Sequence, residues 1–279
     1  MREDESLMGA GVQDHMPTRK CRSLFISDIH LGTKGCQAEL FLDFLRYHEA
    51  ETVYLVGDII DFWRLKRSWY WPQLHNDVVQ KLLRKGRKGT RMVYIPGNHD
   101  ELLRDYVAMN FGGIEIERRA VHETATGEKI LVLHGDDFDA VVRYAKWLAF
   151  LGDWAYAIAL TTNTYFNLVR RRLGFPYWSL SAWLKLRVKN AVNFIGEFEQ
   201  ALAAEAERHE VSGIICGHIH HPAIRDMNGL TYMNCGDWVE SCTAIVENMD
   251  GTFEIVHWPQ LAAEQIEQRR IAAEARAAA

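Results

Sequence analysis

Short apolar runs that stop at polar turns set the rhythm of the first hundred residues. Ser23-Leu24-Phe25-Ile26-Ser27 stops at Asp28, and Thr52-Val53-Tyr54-Leu55-Val56 stops at Gly57-Asp58. Arg91-Met92-Val93-Tyr94-Ile95 stops at Pro96-Gly97-Asn98-His99-Asp100. Runs of this length, bounded by turn residues, predict buried strands. Between them, Gln37 to Tyr47 puts Leu40, Phe41, Phe44 and Leu45 on one helical face, and Trp69 to Lys85 reads as a second helix. The predicted order is β-α-β-α-β. It leaves a polar cluster at the C-terminal end of each strand, where open α/β sheets gather ligands.

Further strands are predicted at 114–116 and 129–133, with Gly127 marking a hairpin turn before the second. The later ones are 213–216, 230–234, 242–247 and 252–258. The strand at 129–133 runs into His134-Gly135-Asp136, and Gly213-Ile214-Ile215-Cys216 runs into Gly217-His218-Ile219-His220. Between about Val141 and Glu207 the rhythm lapses into a long helical pattern rich in Trp, Tyr, Phe and Arg. The expected organisation is a disordered lead (1–21), a core (22–140 and 208–258), a helical cap insertion (141–207) and a helical tail (259–279).

Composition narrows the function classes. Apolar residues make up 48% of the 279, enough for a sizeable core. The 32 Lys plus Arg against 37 Asp plus Glu argue against a general nucleic-acid binder. The 5 cysteines are scattered with no CxxC pair, which fits a reducing compartment. Met1 to Met16 lacks the basic-then-apolar pattern of a secretory signal. The most apolar run, Trp147 to Leu160, is shorter than the ~20 residues a bilayer span needs. No span is expected; association with a membrane surface stays open.

Asp28 and His30 are one residue apart at a strand end. On an extended backbone both side chains point the same way and can reach one cation. The plain alternative is a helix-capping Asp with an incidental His. The two oxygens of Asp58 can bridge cations held roughly 3.5–4 Å apart, whereas Asp61 fits helix capping better, as a residue that supports the ligands from behind or structures the loop. Asn98 offers an amide oxygen; His134, His218 and His220 offer imidazole nitrogens. Each alone is as well explained as a core or surface residue. Together they place oxygen or nitrogen donors suited to Mn, Fe or Zn at every strand end, with no thiolate.

The series DxH, GDxxD, GNHD, HGD and GHxH, in that order from Asp28 to His220, resembles the calcineurin-like metallophosphoesterase superfamily. The resemblance implies a four-layer α/β (α+β) fold: two packed mixed β-sheets flanked by helices, here with a helical cap insertion. It implies two divalent cations that activate water for phosphate-ester hydrolysis. Asp28, His30 and His220 would hold the first, Asn98, His134 and His218 the second, and Asp58 would bridge them. His99 is the expected catalytic group, donating a proton to the leaving oxygen or a hydrogen bond to a phosphoryl oxygen. Asp100 would orient it or structure the turn.

Within that superfamily the chain is similar to the UDP-2,3-diacylglucosamine hydrolase subgroup. The insertion follows the HGD segment, Asp139 and Tyr144 come soon after, and Asn234-Cys235-Gly236-Asp237-Trp238 matches a late loop. The likeness implies cleavage of a pyrophosphate bond in a lipid A precursor, releasing UMP. Mn(II) is the usual ion, with Fe or Zn also admitted by the donor set. The enzymes are cytoplasmic and peripheral on the inner membrane. Typical members carry Arg where this chain has His99. Arg holds its proton and His can give it up, so leaving-group chemistry and substrate are where the chain departs from the subgroup.

The insertion mixes aromatics such as Trp147, Trp154 and Trp178 with Arg170, Arg171 and Arg172. That suits acyl chains beside phosphates, or an anionic membrane surface. A hairpin packed on its own aromatics is the competing reading. Asp139, Tyr144, Lys185 and Lys189 are the substrate-binding candidates, the two lysines about one helical turn apart. The expected partner is a phosphorylated, lipid-like small molecule. The alternative function is a soluble phosphodiesterase or phosphomonoesterase acting on nucleotides or other phosphate esters. A non-catalytic module with a decayed site is disfavoured by the complete donor set.

Overall fold

Alternation along the central strands decides the layering. The structure is a computed structural model that describes residues 18–138 and 201–261. In β1 (Arg19–Ile26), Leu24 and Ile26 face one way and Phe25 the other. β2 (His48–Val56) divides Val53 and Leu55 from Tyr54 and Val56, and β3 (Arg91–Ile95) divides Met92 and Tyr94 from Val93 and Ile95. Both faces are apolar, so both must be covered.

One face packs against α1 (Ala38–Tyr47) and α3 (Gln73–Arg87), through Phe41, Phe44 and Leu45 from the first and Val78 and Leu82 from the second. α1 presents its apolar residues at helical spacing, as its sequence predicts. Between the two helices lies the short α2 (Phe62–Arg67), capped by Asp61, whose carboxylate accepts from the Arg64 amide at 2.8 Å.

The other face packs on a second sheet. Its strands β7 (Lys129–Val132), β8 (Gly213–Cys216) and β10 (Leu230–Asn234) send Ile130, Val132, Ile215 and Met233 inward between the sheets. Their opposite face holds Leu131, Ile214 and Tyr232 against Leu202 and Ala206 of a helical stretch at 201–208. The result is the expected order of layers, helix–sheet–sheet–helix.

The remaining strands are β4 (Asn110–Phe111), β5 (Ile114–Ile116), β6 (Ala120–Glu123), β9 (Ala223–Met227), β11 (Thr243–Glu247) and β12 (Phe253–His257). The first sheet runs β12-β11-β1-β2-β3-β5-β4 and the second β6-β7-β8-β10-β9. Strands β1, β2, β3 and β5 are mutually parallel, as are β7, β8 and β10; the outer strands are antiparallel, so both sheets are mixed. The polar loops after β1, β2, β3, β7 and β8 therefore emerge at one end of the sandwich.

Several elements differ from the sequence expectation. β1 begins at Arg19, inside the segment assigned to the lead. The residues at 201–207, assigned to the insertion, pack on the second sheet. β6 and β9 were not expected. Their inward residues are few, with Arg225 and Asp226 exposed on β9, so neither shows an apolar run.

One polar group lies deep between the sheets. Glu247 is fully buried, accepts from His122 at 2.8 Å and from the Ala125 amide at 2.9 Å, and lies 3.3 Å from Arg22. Burial alone would raise its carboxyl; the His122 and amide contacts hold it below the usual range. Tyr54 completes the chain, its hydroxyl 3.2 Å from His122.

Candidate metal centre

The strand-end side chains converge by a route the sequence did not show. Asp28 and His30 are not on extended backbone. Both are left-handed, with φ of 53° and 54°, and so are Asp58 (54°), His218 (68°) and His220 (49°). The alternation argument for Asp28 and His30 is therefore corrected: sharp left-handed kinks aim the two side chains. Non-glycine residues avoid this region because Cβ crowds the backbone, and its persistence marks over-determined sites. The kinks are fixed by hydrogen bonds between loops. The Asp28 amide donates to Gly57 O, His30 to Asp58 O, and Leu31 to Ile59 O, at 2.9–3.0 Å.

The side chains form three overlapping groups: Asp28, His30 and His220; His30, Asp58 and His99; and Asp58, His134 and His218. Within each, one donor atom per residue lies within 4.8 Å of the others. Asp58 is the hub. Its Oδ2 is 3.4 Å from His134 Nε2 and 3.9 Å from both His30 Nε2 and His99 Nε2. Its Oδ1 accepts the His99 amide at 2.8 Å. Gly97 lies so close that a Cβ there would strike Asp58 and His134 together. Gly57, at φ +76°, could likewise not carry a side chain without meeting the His134 ring.

A test of fit to cations comes from atoms that lack partners. Asn98 Oδ1, His30 Nε2 and His134 Nε2 are buried with no hydrogen bond among the described residues. Buried polar atoms are ordinarily bonded, because desolvation is costly. His134 donates from Nδ1 to Val56 O at 2.8 Å, so Nε2 is the nitrogen free to face Asp58. Fixing the outer nitrogen in this way sets the tautomer a metal-binding imidazole needs. The donor set, all oxygen and nitrogen with three buried donor atoms unpartnered, fits divalent cations.

Electrostatics point the same way. Burial pulls the His30 imidazole down, but Asp28, Asp61 and Asp58 outweigh it and push it up to about 10. Burial also opposes charge on His134, which Asp58 and Asp28 push up to about 10. Burial would raise the Asp28 carboxyl; His220 and His30 hold it well below its ordinary value. These carboxylates demand positive charge, and divalent cations supply it by displacing protons from the imidazoles.

Each of two aspartates takes one of the parts the sequence left open. Asp100 does not orient His99. It is buried and accepts from the amides of Gly97 (2.6 Å), Asp58 (3.3 Å), Ile59 (2.8 Å) and Ile60 (3.4 Å), and from the Tyr94 hydroxyl. It stitches the GNHD turn to the GDxxD turn. Asp61, beyond capping α2, lies 3.3 Å from His30 Nδ1 and 3.0 Å from His99 Nδ1. It hydrogen-bonds His30 and stands beside His99, whose Nδ1 makes no hydrogen bond among the described residues.

Two contributors, Arg104 and Trp63, carried no recognised signal. Arg104 grips Asp136 with two contacts of 2.7 Å and reaches Pro96 O, tying the HGD turn to GNHD. Trp63, 42% exposed, lies 4.4 Å from the His99 ring. The Asn234-Cys235-Gly236-Asp237-Trp238 loop is a brace: Asn234 donates to Gly217 O at 2.8 Å, and the Trp238 amide donates to Asp28 O at 2.9 Å. Arg104 and Trp63 had no pattern to find them by. Asp139, Tyr144, Lys185 and Lys189 lie outside the described residues, as does most of the insertion. Among the described residues no helix is long and apolar enough to cross a membrane.

The fold and this donor cluster meet in one class. A family model described as calcineurin-like phosphoesterase matches residues 21–222. The protein is a metal-dependent hydrolase of phosphoric esters or pyrophosphates. It belongs to the calcineurin-like phosphoesterase family. Relatives named UDP-2,3-diacylglucosamine hydrolase include one from Photorhabdus laumondii, 27% identical over 212 residues, covering 74% of this chain and 84% of that protein. Another, from Salmonella dublin, is 26% identical over 217 residues, covering 74% and 85%. Among solved structures, a zinc complex of Vps29 from Entamoeba histolytica has a TM-score of 0.39 at 16% identity, covering 85% of this chain and 98% of that one.

Proposed function

We propose that the chain hydrolyses the pyrophosphate bond of a nucleotide-sugar lipid resembling UDP-2,3-diacylglucosamine, as a peripheral enzyme at a membrane surface. The names of its relatives support the substrate class. The observation that carries the chemistry is the convergence of His30, His99, His134 and His218 on Asp58, with the His30 and His134 Nε2 atoms that face it unpartnered. Asp28, His30 and His220 would hold one divalent cation, Asn98, His134 and His218 the other, with Asp58 shared between them. Mn(II) is our choice, the oxygen-and-nitrogen set being hospitable to it. When bound, such ions lower the pKa of water and neutralise charge on phosphoryl oxygens.

The chain's own residues do the rest. His99 sits beside Asn98 with its side chain 26% exposed, so it can meet a bound phosphate. Its Nδ1 lies against Asp61, which leaves Nε2 on the Asp58 side. From there Nε2 donates to a phosphoryl or leaving oxygen. Asp61 stands beside the ring, and Trp63 covers its outer face. Asp100 keeps the two turns in register without touching the reacting groups.

His99 itself favours a second reading. A group able to donate a proton suits poorer leaving groups than UMP, as in simple phosphodiesters or monoesters. The deciding experiment offers Mn-reconstituted protein three substrates side by side: UDP-2,3-diacylglucosamine, other nucleotide-sugar lipids and a generic phosphodiester. A kcat/KM preference for the acylated pyrophosphate is expected. Equal or better turnover of the generic diester selects the second reading.

A further inference from the structure

The opposite end of the first sheet holds a different kind of site. A cavity of about 440 Å³ opens where β1 and β2 begin, between the C-terminal ends of α1 and α3. Six cationic side chains line it: Lys20, Arg46, Lys81, Arg84, Lys85 and Lys88. Two carboxylates, Glu49 and Glu51, stand with them. Among the described residues, Arg46 alone of the six has an ion pair, to Asp43 at 3.5 Å. Lys20, Lys81, Arg84 and Lys88 have none within 4 Å, even though the chain as a whole is acidic.

Basic residues at a helix C-terminus often serve only to balance its dipole. Here that need is met by backbone. The Lys88 amide donates to Arg84 O and Lys85 O, Gly89 to Gly86 O, and Thr90 to Lys85 O. Lys85 turns away from its own helix and donates to His48 O at 2.6 Å. It is 9% exposed, and an ammonium has three protons to place, so one acceptor leaves it under-satisfied. The crowding has a measurable sign. Burial and then Lys81 push the Lys85 ammonium down to about 8, and burial with Arg46, Arg84 and Lys88 lowers Lys81.

We propose that this cavity binds a phosphate-bearing anion, separately from the metal centre. Its volume is that of a small-molecule site rather than of one orthophosphate. Lys81, Lys85 and Lys88 follow one side of α3 and converge with Lys20 from β1, so two phosphates can be met at once. Leu45 and Met249 supply an apolar patch for an uncharged portion. The site and Asp28 lie at opposite ends of β1, on the order of 20 Å apart at strand rise. One ligand cannot span both, so the occupant is not the reacting group of a bound substrate. Soluble diphosphates and phosphorylated lipid headgroups share the chemistry required.

The test uses the metal-loaded full chain. Calorimetric titration with methylenediphosphonate should show one event at the metals and a second, salt-sensitive event. In a Lys81→Gln/Lys88→Gln variant the second should weaken at least tenfold while the first remains. The exposed pair Lys20→Gln/Arg84→Gln should reproduce that loss, and an unchanged thermal midpoint in either variant shows that it folds. A parallel arm sediments the proteins with phosphatidylcholine vesicles, with and without phosphatidylglycerol. Binding of the diphosphonate assigns the site to a soluble ligand. Binding only to the anionic vesicles, lost in both variants, assigns it to a headgroup. Identical behaviour of wild type and both variants in both arms overturns the proposal.

Discussion

The two ends of the first sheet are electrostatic opposites built on the same strands. At the C-terminal end, buried Asp28 and Asp58 draw the imidazoles of His30 and His134 up to about 10, and Asn98 Oδ1 has no partner. At the N-terminal end, burial and then the neighbouring Lys81 bring the Lys85 ammonium down to about 8. Carboxylates set the field at the first end, whereas at the second six cationic side chains outnumber two carboxylates, Glu49 and Glu51. Each is costly in isolation, since an uncompensated charge near low dielectric loses its hydration. The difference lies in backbone. The first end is held by left-handed turns and dense inter-loop hydrogen bonds, with Asp100 alone accepting from four amides. The second is lined largely by exposed side chains around one buried lysine. A centre that must position reacting atoms is rigid; one that only attracts charge can be loose.

The sharpest way to break this contrast is to remove a donor from the rigid end. Asn98→Ala or His134→Ala should lower phosphodiester turnover by more than about 100-fold, because losing even the partners of metal ligands costs ~10–100-fold. Wild-type rates in steady-state assays would sink the cation assignment. Gly97→Ala should be comparably damaging, since the added methyl strikes Asp58 and His134. If Gly97→Ala keeps its bound metal, measured by elemental analysis, the site is softer than the contrast requires.

Asp61→Asn comes next, with an expected ~10–100-fold loss. The loss should fall on kcat and on metal affinity together, because this carboxylate lies against both His99 and His30. An effect on neither reduces it to a helix cap. Chelation should then lower the thermal midpoint, since cations held at ~100 times their Kd contribute about 2.7 kcal/mol to folding.

The smallest effect belongs to the loose end. The folded Lys85 titrates at about 8 and its unfolded form near 10.5. Between those values the unfolded chain binds more protons, so stability rises with pH across the window. Denaturation at pH 8 and pH 10 should show a gain of roughly 1–2 kcal/mol after allowing for solvent screening. Lys85→Met should abolish that gain. A pH-independent wild type would mean the cations are not crowded.

Much of this was legible in the sequence, and the exceptions share a cause. Strands with two apolar faces, such as 52–56 and 91–95, announced themselves, and their terminal polar residues located the centre. The edge strands β6 and β9 did not: β6 exposes Val121 and buries His122, and β9 exposes Ile224, Arg225 and Asp226 in a row, so neither alternates apolar-in with polar-out. Residue types named the donors Asp28, His30 and Asp58, but φ is not written in a residue's type, so the route by which they converge was misread. Asp61 and Asp100 were distinguishable only through contacts three-dimensional in origin: Asp100 to amides 40–42 residues earlier, Asp61 to a histidine 31 residues earlier. The cavity is assembled from β1, α1, β2 and α3, each contributing a few unremarkable surface residues.

The left-handed turns also set a limit on how this chain can change. Each such non-glycine residue costs roughly 1–2 kcal/mol, and five of them approach the whole net stability of an ordinary domain, ~5–15 kcal/mol. The strain is tolerable only while the side chains there are useful. A protein relieved of its chemistry, with glycine at Asp58 or His218, has an easy path to becoming sturdier than its active ancestor. What those five side chains do, and not what folding prefers, accounts for their presence there.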